Sequence, residues 1–105
     1  MLARLYWYTV EFGLIATPRG LRAYGSGIMS SGGELVYCID STKPHREVFH
    51  LETVMRTEYR IDTYQDVYFV IDSFADLAAQ TAVDFTPIYE RVRELPVRHP
   101  APAAP

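Results

Sequence analysis

The chain has 105 residues, of which 49% are hydrophobic and 13% aromatic, and this composition predicts one small globular domain rather than a disordered chain. The formal net charge is −3 with acids and bases interspersed, which argues against a basic surface for nucleic acid. The single cysteine, Cys38, excludes an intrachain disulfide, and no apolar run is long enough to cross a membrane. We therefore expect a soluble, cytoplasmic protein in which Cys38 is a small buried hydrophobe.

The first element is predicted over residues 2 to 15, which include the run "LYWYTVEFGLI". Apolar side chains leave this segment hardly any polar face, which is typical of a buried helix. Consecutive Tyr, Trp, Thr and Val residues also suit a strand, and that alternative stays open. Gly13, Pro18 and Gly20 then indicate a turn region.

The middle of the chain contains one clear helix signal. Ser31 and Glu34 have the spacing of a capping box, which predicts a short helix over residues 32 to 39. Residues 41 to 64 are mixed and polar, so we expect a loop with one or two short elements there.

The last third of the chain is predicted as a strand followed by helix. Residues 66 to 72, "DVYFVID", are β-branched and aromatic and predict a buried strand. A second capping signature at Ser73 and Asp76 predicts a helix that starts at residue 73, and Pro87 should kink it or end it so that Thr86 caps a second segment. Residues 94 to 105 are rich in Pro and Ala and are expected to form a disordered tail, which leaves residues 1 to 93 as the domain.

Glu11 is the one charge inside the first apolar run, between Val10 and Phe12. An ionised carboxylate in apolar surroundings needs a partner or a metal ion. Arg4 lies seven residues earlier, about 10 Å along a helix axis, which is too far for direct pairing without stretched side chains. A structural ion pair, a half-exposed glutamate, and a metal or catalytic role all remain open on these residues alone.

Other candidate sites are weaker. Gly25-Ser-Gly27 lacks the remaining residues of a nucleotide-binding loop, although glycines permit close approach of the backbone to a ligand or another element. His45 and His50 have a spacing that points them to different faces of a strand or a helix, so we expect surface histidines. Cys38 has no neighbouring base in the sequence, and covalent catalysis has no support.

Three stretches resemble one enzyme family: "LYWYTVEFGLI", "LRAYGSGIMSSGGELVYCID" and "YRIDTYQDVYFVIDSF". They are similar to the C-terminal part of the catalytic domain of the aromatic amino acid hydroxylases, over about residues 2 to 85. The resemblance implies an α+β fold that is mainly helical with short strands. It also implies hydroxylation of phenylalanine to tyrosine with Fe(II), tetrahydrobiopterin and O2.

The resemblance assigns roles to eight residues. Glu11 matches the carboxylate of the 2-His-1-carboxylate triad that holds Fe(II) in this family. The other matches are Trp7 and Phe12 in the aromatic substrate pocket, Gly27, Ser30 and Glu34 around the substrate amino acid, with Ser30 also supporting an iron-binding histidine, and Ala3 and Tyr6 on the pterin side.

The sequence also departs from the family pattern. The family's two histidine ligands precede the glutamate segment, whereas His45 and His50 follow it and lack the surrounding motif. We therefore expect a truncated chain that by itself has no hydroxylase activity and no stoichiometric iron. We also expect self-association through the exposed first helix. The alternative is a non-catalytic α+β module, either a pseudoenzyme or an interaction domain.

Overall fold

The computed structural model describes all 105 residues and contains six α-helices, one π-helical turn and four strands. The helices are α1 (Leu2–Tyr6), α2 (Ser26–Met29), α3 (Gly32–Asp40), α4 (Leu51–Met55), α5 (Phe74–Thr81) and α6 (Phe85–Arg93), with the π-helical turn at Trp7–Glu11. The strands are β1 (Leu14–Thr17), β2 (Gly20–Ala23), β3 (His45–Val48) and β4 (Val67–Ile71). The expected α+β class, mainly helical with short strands, is confirmed.

The four strands form one mixed sheet in the order β2-β1-β4-β3. β1 and β2 form an antiparallel hairpin, and β4 pairs in parallel with both β1 and β3. β4 lies inside the sheet and is buried on both faces, and its sequence, "VYFVI", is therefore apolar at successive positions instead of alternating with polar residues. The strand predicted over residues 66 to 72 is therefore confirmed with its bounds at 67 and 71.

Apolar residues pack on both faces of the sheet. Val67, Phe69 and Ile71 point to one face, where they meet side chains of the π-helical turn, α4 and α6. Tyr68 points to the other face and packs with Leu14, Ile28 and Cys38. Cys38 is fully buried, as expected, and burial raises the pKa of its thiol to about 11.

The first helix is shorter than predicted. The helical segment ends at Glu11, and Leu14 begins β1. The prediction is wrong for residues 12 to 15 because the chain turns at Gly13, where the Tyr24 ring occupies the space that a side chain would need. The helix also buries less than expected, since Leu2, Tyr6 and Val10 are about half exposed.

Side chains cap three of the later helices. Ser31 Oγ accepts a hydrogen bond from the Glu34 backbone N–H, and Ser73 caps α5 in the same way, so both predicted starts are confirmed. The chain does break before Pro87, but Asp84 caps α6 rather than Thr86. The Thr86 prediction was wrong because Pro87 is tolerated inside the first helical turn, where backbone N–H groups have no intrahelical partner.

Two segments without strong sequence signals are placed by long-range contacts. Residues 41 to 64 contain β3 and α4, in agreement with the expected one or two short elements. Residues 98 to 104, for which disorder was expected, make backbone hydrogen bonds to Arg56, Glu58 and Lys43. The division of the chain at residue 93 stays a prediction. No helix of this fold has the length and apolar character that a membrane span requires.

Candidate carboxylate and aromatic site

The π-helical turn presents the candidate site. Its wider winding is marked by the hydrogen bond from the Phe12 N–H to the Trp7 carbonyl, five residues back, at 2.8 Å. Such turns are rare and are often found at functional sites. Trp7, Glu11 and Phe12 thus lie on or beside one irregular turn between α1 and the sheet.

The Glu11 carboxylate is half-buried and has no cationic partner within 4.0 Å. The Tyr6 hydroxyl donates to Glu11 Oε1 at 3.2 Å. Arg4 does not pair with Glu11, because its Nη1 donates to the Met55 carbonyl at 3.4 Å. Of the readings left open by the sequence, the ion pair with Arg4 is wrong and the half-exposed glutamate agrees with the structure.

Two glycines let the start of α2 lie directly against this turn. A Cβ at Gly25 would overlap the Glu11 backbone carbonyl, and a Cβ at Gly27 would lie 2.8 Å from Glu11 Oε2 and 3.1 Å from the Phe12 ring. Ser26 Oγ adds a hydrogen bond to the Val10 carbonyl at 3.2 Å. The close backbone approach predicted for these glycines is therefore made to the carboxylate turn.

Aromatic rings form a wall beside Glu11. The centroid of the Trp7 ring lies 4.8 Å from that of Phe12 and 4.5 Å from that of Tyr59. The Tyr59 ring is stacked on Trp7 at an interplanar angle of 15°. The Trp7 indole N–H is buried without a hydrogen-bond partner. Sequence reasoning missed Tyr59, since it is 52 residues away in the chain and carries no local signal.

The predicted site residues Ser30, Ala3 and Glu34 make no hydrogen bond to Glu11. Ser30 is exposed and donates from Oγ to the Gly27 carbonyl at 3.1 Å, while Ala3 is exposed on α1. Glu34 is only 5% exposed and forms a separate polar network. Their roles in binding stay predictions.

The Glu34 network connects α3 to β4. Glu34 Oε2 accepts a hydrogen bond from the Tyr68 hydroxyl at 2.6 Å and from the Gln65 backbone N–H at 3.2 Å. Burial, followed by the hydrogen bond and charge of Glu34, holds the pKa of Tyr68 far above its usual range. Only one of the two hydrogen bonds of a capping box is therefore formed. Ser31 Oγ accepts from the Glu34 N–H, but the Glu34 side chain turns inward to Tyr68 instead of returning to the Ser31 N–H.

No group of three His, Cys, Asp or Glu side chains converges anywhere in the chain. His45 and His50 are both exposed, one on β3 and one at the start of α4, and His45 Nε2 lies 3.3 Å from the Pro102 carbonyl. Non-haem iron of the facial-triad type needs two histidines and a carboxylate. The residues of this chain fit the carboxylate position of such a centre and do not complete it.

Comparison with known proteins identifies the family. The family model for biopterin-dependent aromatic amino acid hydroxylases matches residues 1–98. The chain belongs to the biopterin-dependent aromatic amino acid hydroxylase family, as the sequence resemblance implied.

Among its relatives, the phenylalanine-4-hydroxylase of Ralstonia nicotianae is 62% identical over 96 residues, which cover 91% of this chain and 31% of the relative. The phenylalanine-4-hydroxylase of Chromobacterium violaceum is 63% identical over 89 residues, covering 85% of this chain and 30% of the relative. Human tyrosine 3-monooxygenase is 47% identical over 75 residues, covering 71% of this chain and 14% of that protein.

The fold is also similar to a solved structure of a phenylalanine hydroxylase. A crystal structure of the Chromobacterium violaceum enzyme with iron and phenylalanine bound superimposes with a TM-score of 0.93 at 55% identity. The match covers 99% of this chain and 39% of that one. The chain therefore spans about a third of the length of the relatives that it matches.

Proposed function

We propose that this chain forms the carboxylate-bearing part of a phenylalanine 4-monooxygenase, which hydroxylates phenylalanine to tyrosine with Fe(II), tetrahydrobiopterin and O2. One observation carries the proposal: Glu11 is a half-buried carboxylate without a cationic partner, and it lies beside the aromatic wall in a segment 62% identical to a phenylalanine-4-hydroxylase. A carboxylate in that position is suited to a cation supplied from outside this set of residues.

In this proposal Glu11 is the carboxylate ligand of the iron. The Tyr6 hydroxyl, which donates to Oε1, fixes the orientation of the carboxylate, as hydrogen bonds to metal ligands generally do. When bound, the iron and the pterin supply the chemistry that activates O2. Ala3 and Tyr6 would face the pterin.

Trp7 and Phe12 form the apolar side of the substrate pocket, where ring faces and edges would orient the phenylalanine side chain. Gly27, which lies against Glu11 Oε2, and Ser30, which donates to the Gly27 carbonyl, would face the substrate amino acid, and Ser30 would also support an iron-binding histidine. Glu34 would belong to the same substrate side of the site, although its hydrogen bonds go to Gln65 and Tyr68.

Phenylalanine is the proposed substrate because both bacterial relatives described above are phenylalanine-4-hydroxylases. The resemblance to human tyrosine 3-monooxygenase makes tyrosine the second candidate. Substrate preference is measured as kcat/KM for the two amino acids. The single cysteine is consistent with a cytoplasmic location.

A chimera tests the proposal. Residues 1 to 98 replace the matching segment of the Chromobacterium violaceum enzyme, and phenylalanine hydroxylation and iron content are measured. Glu11→Ala should abolish turnover and stoichiometric iron while circular dichroism stays unchanged. Glu90→Ala, at an exposed position on α6, is the matched control and should leave both unchanged. Full turnover in the Glu11→Ala chimera would remove Glu11 from the iron site.

The chain alone gives the complementary measurement. After reconstitution with Fe(II) we expect no stoichiometric iron and no hydroxylation, because no two histidines converge with Glu11 in this chain. Tight iron binding by the isolated chain would mean that His45 and His50 serve as ligands. An inactive chimera that still folds would favour the alternative of a non-catalytic module.

A further inference from the structure

We propose that Tyr59 is a positioning residue of the aromatic pocket, and that Gln65 and Arg98, which lies in the C-terminal segment, hold it against Trp7. The inference rests on the proposed function, in which Trp7 lines the substrate pocket. It adds a residue that lies outside the segments around Glu11 and gives the C-terminal residues a role at the site.

Trp7 lies between two rings. Phe12 contacts it at 4.8 Å and Tyr59 stacks on it at 4.5 Å with nearly parallel planes. Tyr59 also meets Tyr8 edge to face at 6.3 Å and 84°. Since the stack joins ring faces, it does not depend on the Tyr59 hydroxyl. Displacement of Tyr59 would leave one face of the indole without its support.

The residue before Tyr59 is fixed from two sides. The Tyr8 hydroxyl donates to the Glu58 carbonyl, and the Glu58 N–H donates to the Arg98 carbonyl at 2.9 Å. Tyr8 is 1% exposed and follows Trp7 in the π-helical turn. The backbone at Glu58 is therefore tied both to the turn that carries Trp7 and to the C-terminal segment.

The residue after Tyr59 is fixed by one side chain. Gln65, which is 1% exposed, accepts from the Arg60 N–H at 3.0 Å and donates to the Arg60 carbonyl at 2.7 Å. The Gln65 backbone N–H donates in turn to Glu34 Oε2. The backbone on both sides of Tyr59 is thus held by part-buried hydrogen bonds, which leaves the ring little freedom to move away from Trp7.

Arg98 connects the backbone next to Tyr59 to strand β3 of the sheet. Its N–H donates to the Arg56 carbonyl at 2.6 Å, and its guanidinium donates to Thr57 Oγ1 at 3.1 Å. The same guanidinium pairs with both carboxylate oxygens of Glu47 on β3, at 3.1 and 3.2 Å. Nη2 makes both contacts to Glu47 while Nη1 bonds Thr57, so the guanidinium is held at two of its nitrogens. Loss of Arg98 should therefore loosen the backbone that carries Tyr59.

A purely structural role for Tyr59 would make it one more ring on the core, with no specific effect on Trp7. The chain permits a direct test because Trp7 is its only tryptophan. Fluorescence emission and acrylamide quenching of the whole chain therefore report on this one indole.

Four variants of the 105-residue chain are compared: Tyr59→Leu, Tyr59→Phe, Arg98→Ala and, as control, Tyr64→Leu. Tyr64 comes from the same loop but packs on Tyr37. We expect Tyr59→Leu to move Trp7 emission to longer wavelength and raise quenching, and Arg98→Ala to do so to a smaller extent. Tyr59→Phe and Tyr64→Leu should leave both quantities unchanged.

In the chimera, Tyr59→Leu should raise the KM for phenylalanine roughly 2- to 12-fold, which is the change in affinity expected when the contribution of one aromatic pair is lost. The effect on kcat should be smaller. Tyr59→Phe should restore the original KM. Unchanged Trp7 emission in Tyr59→Leu, an equal shift in Tyr64→Leu, or an unchanged KM would overturn the proposal. If Tyr59→Leu does not fold, Arg98→Ala decides, and an unchanged Trp7 signal there refutes it.

The fluorescence result needs neither iron nor turnover. Failure of hydroxylation in the unmodified chimera would therefore count against the proposed function and leave the positioning of Trp7 by Tyr59 to be judged by its own measurement.

Discussion

Replacing Glu34 by alanine removes the acceptor of two buried donors, the Tyr68 hydroxyl and the Gln65 backbone N–H. Tyr68 is 0% and Gln65 1% exposed, so neither donor is open to solvent in the fold. An unsatisfied buried donor costs about 1–3 kcal/mol, and the two together predict a loss of about 2–6 kcal/mol in the free energy of unfolding. The cap of α3 survives, because Ser31 accepts from the backbone of residue 34.

A double-mutant cycle with Tyr68→Phe isolates the shared hydrogen bond. Tyr68→Phe alone should cost about 1–3 kcal/mol, and the double variant should cost less than the sum of the single variants by a similar amount. Urea unfolding at pH 7, followed by far-UV circular dichroism, gives the four free energies. Additive effects, or a loss below about 1 kcal/mol in Glu34→Ala, would refute the reasoning.

Three further predictions concern packing, pH and association. Gly13→Ala should destabilise the fold by about 1–3 kcal/mol because its Cβ would overlap the Tyr24 ring, as urea unfolding would show. Burial alone would raise the pKa of the Asp66 carboxyl, but hydrogen bonds from the Ala103 N–H and the Arg60 side chain hold it below its usual value. Asp66 therefore stabilises the fold above the unfolded pKa of about 3.9, and this contribution is lost as pH falls through the lower folded pKa. The half-exposed first helix should give concentration-dependent sedimentation that Val10→Lys reduces.

The first two of these predictions are each paired with a second variant, and the third with a result that would contradict it. Gly32→Ala, at the first residue of α3 and with open space around it, should stabilise the chain by about 0.4–1 kcal/mol, so an equal loss at both glycines would contradict the overlap argument. Asp66→Asn should flatten the dependence of unfolding free energy on pH below about 4, and an unchanged slope would argue against Asp66 as its source. A clean monomer at micromolar concentration would contradict self-association.

Local signals in the sequence predicted several elements correctly. Ser31 and Ser73 start helices because a side-chain oxygen reaches a backbone N–H three residues later, and that contact needs no tertiary structure. The run at residues 67 to 71 reads as a strand because its side chains are apolar on both faces. Helix geometry also disfavoured the Arg4 and Glu11 pair without excluding it, and Arg4 donates to the Met55 carbonyl instead.

Local signals in the sequence do not predict contacts between residues that are far apart in the chain. Tyr59 stacks on Trp7, and its neighbour Glu58 is hydrogen-bonded to Tyr8 and Arg98; no residue near Tyr59 in the sequence indicates these contacts. The inward turn of Glu34 depends on Tyr68, which follows it by 34 residues. Proline content predicted a free C-terminal segment, whereas its backbone makes hydrogen bonds to residues 43 to 58.

The sequence by itself determined the family, the helix starts, the central strand and the identity of Glu11 as the isolated charge in an apolar run. It did so because caps, apolar patterns and family motifs are properties of neighbouring residues. Only the tertiary structure decided which groups surround Glu11: the Tyr6 hydroxyl on one carboxylate oxygen, Gly27 against the other, and a Trp7 ring supported by Tyr59. Those contacts follow from how the turn, α2 and the 58 to 65 loop pack together, which no local pattern specifies.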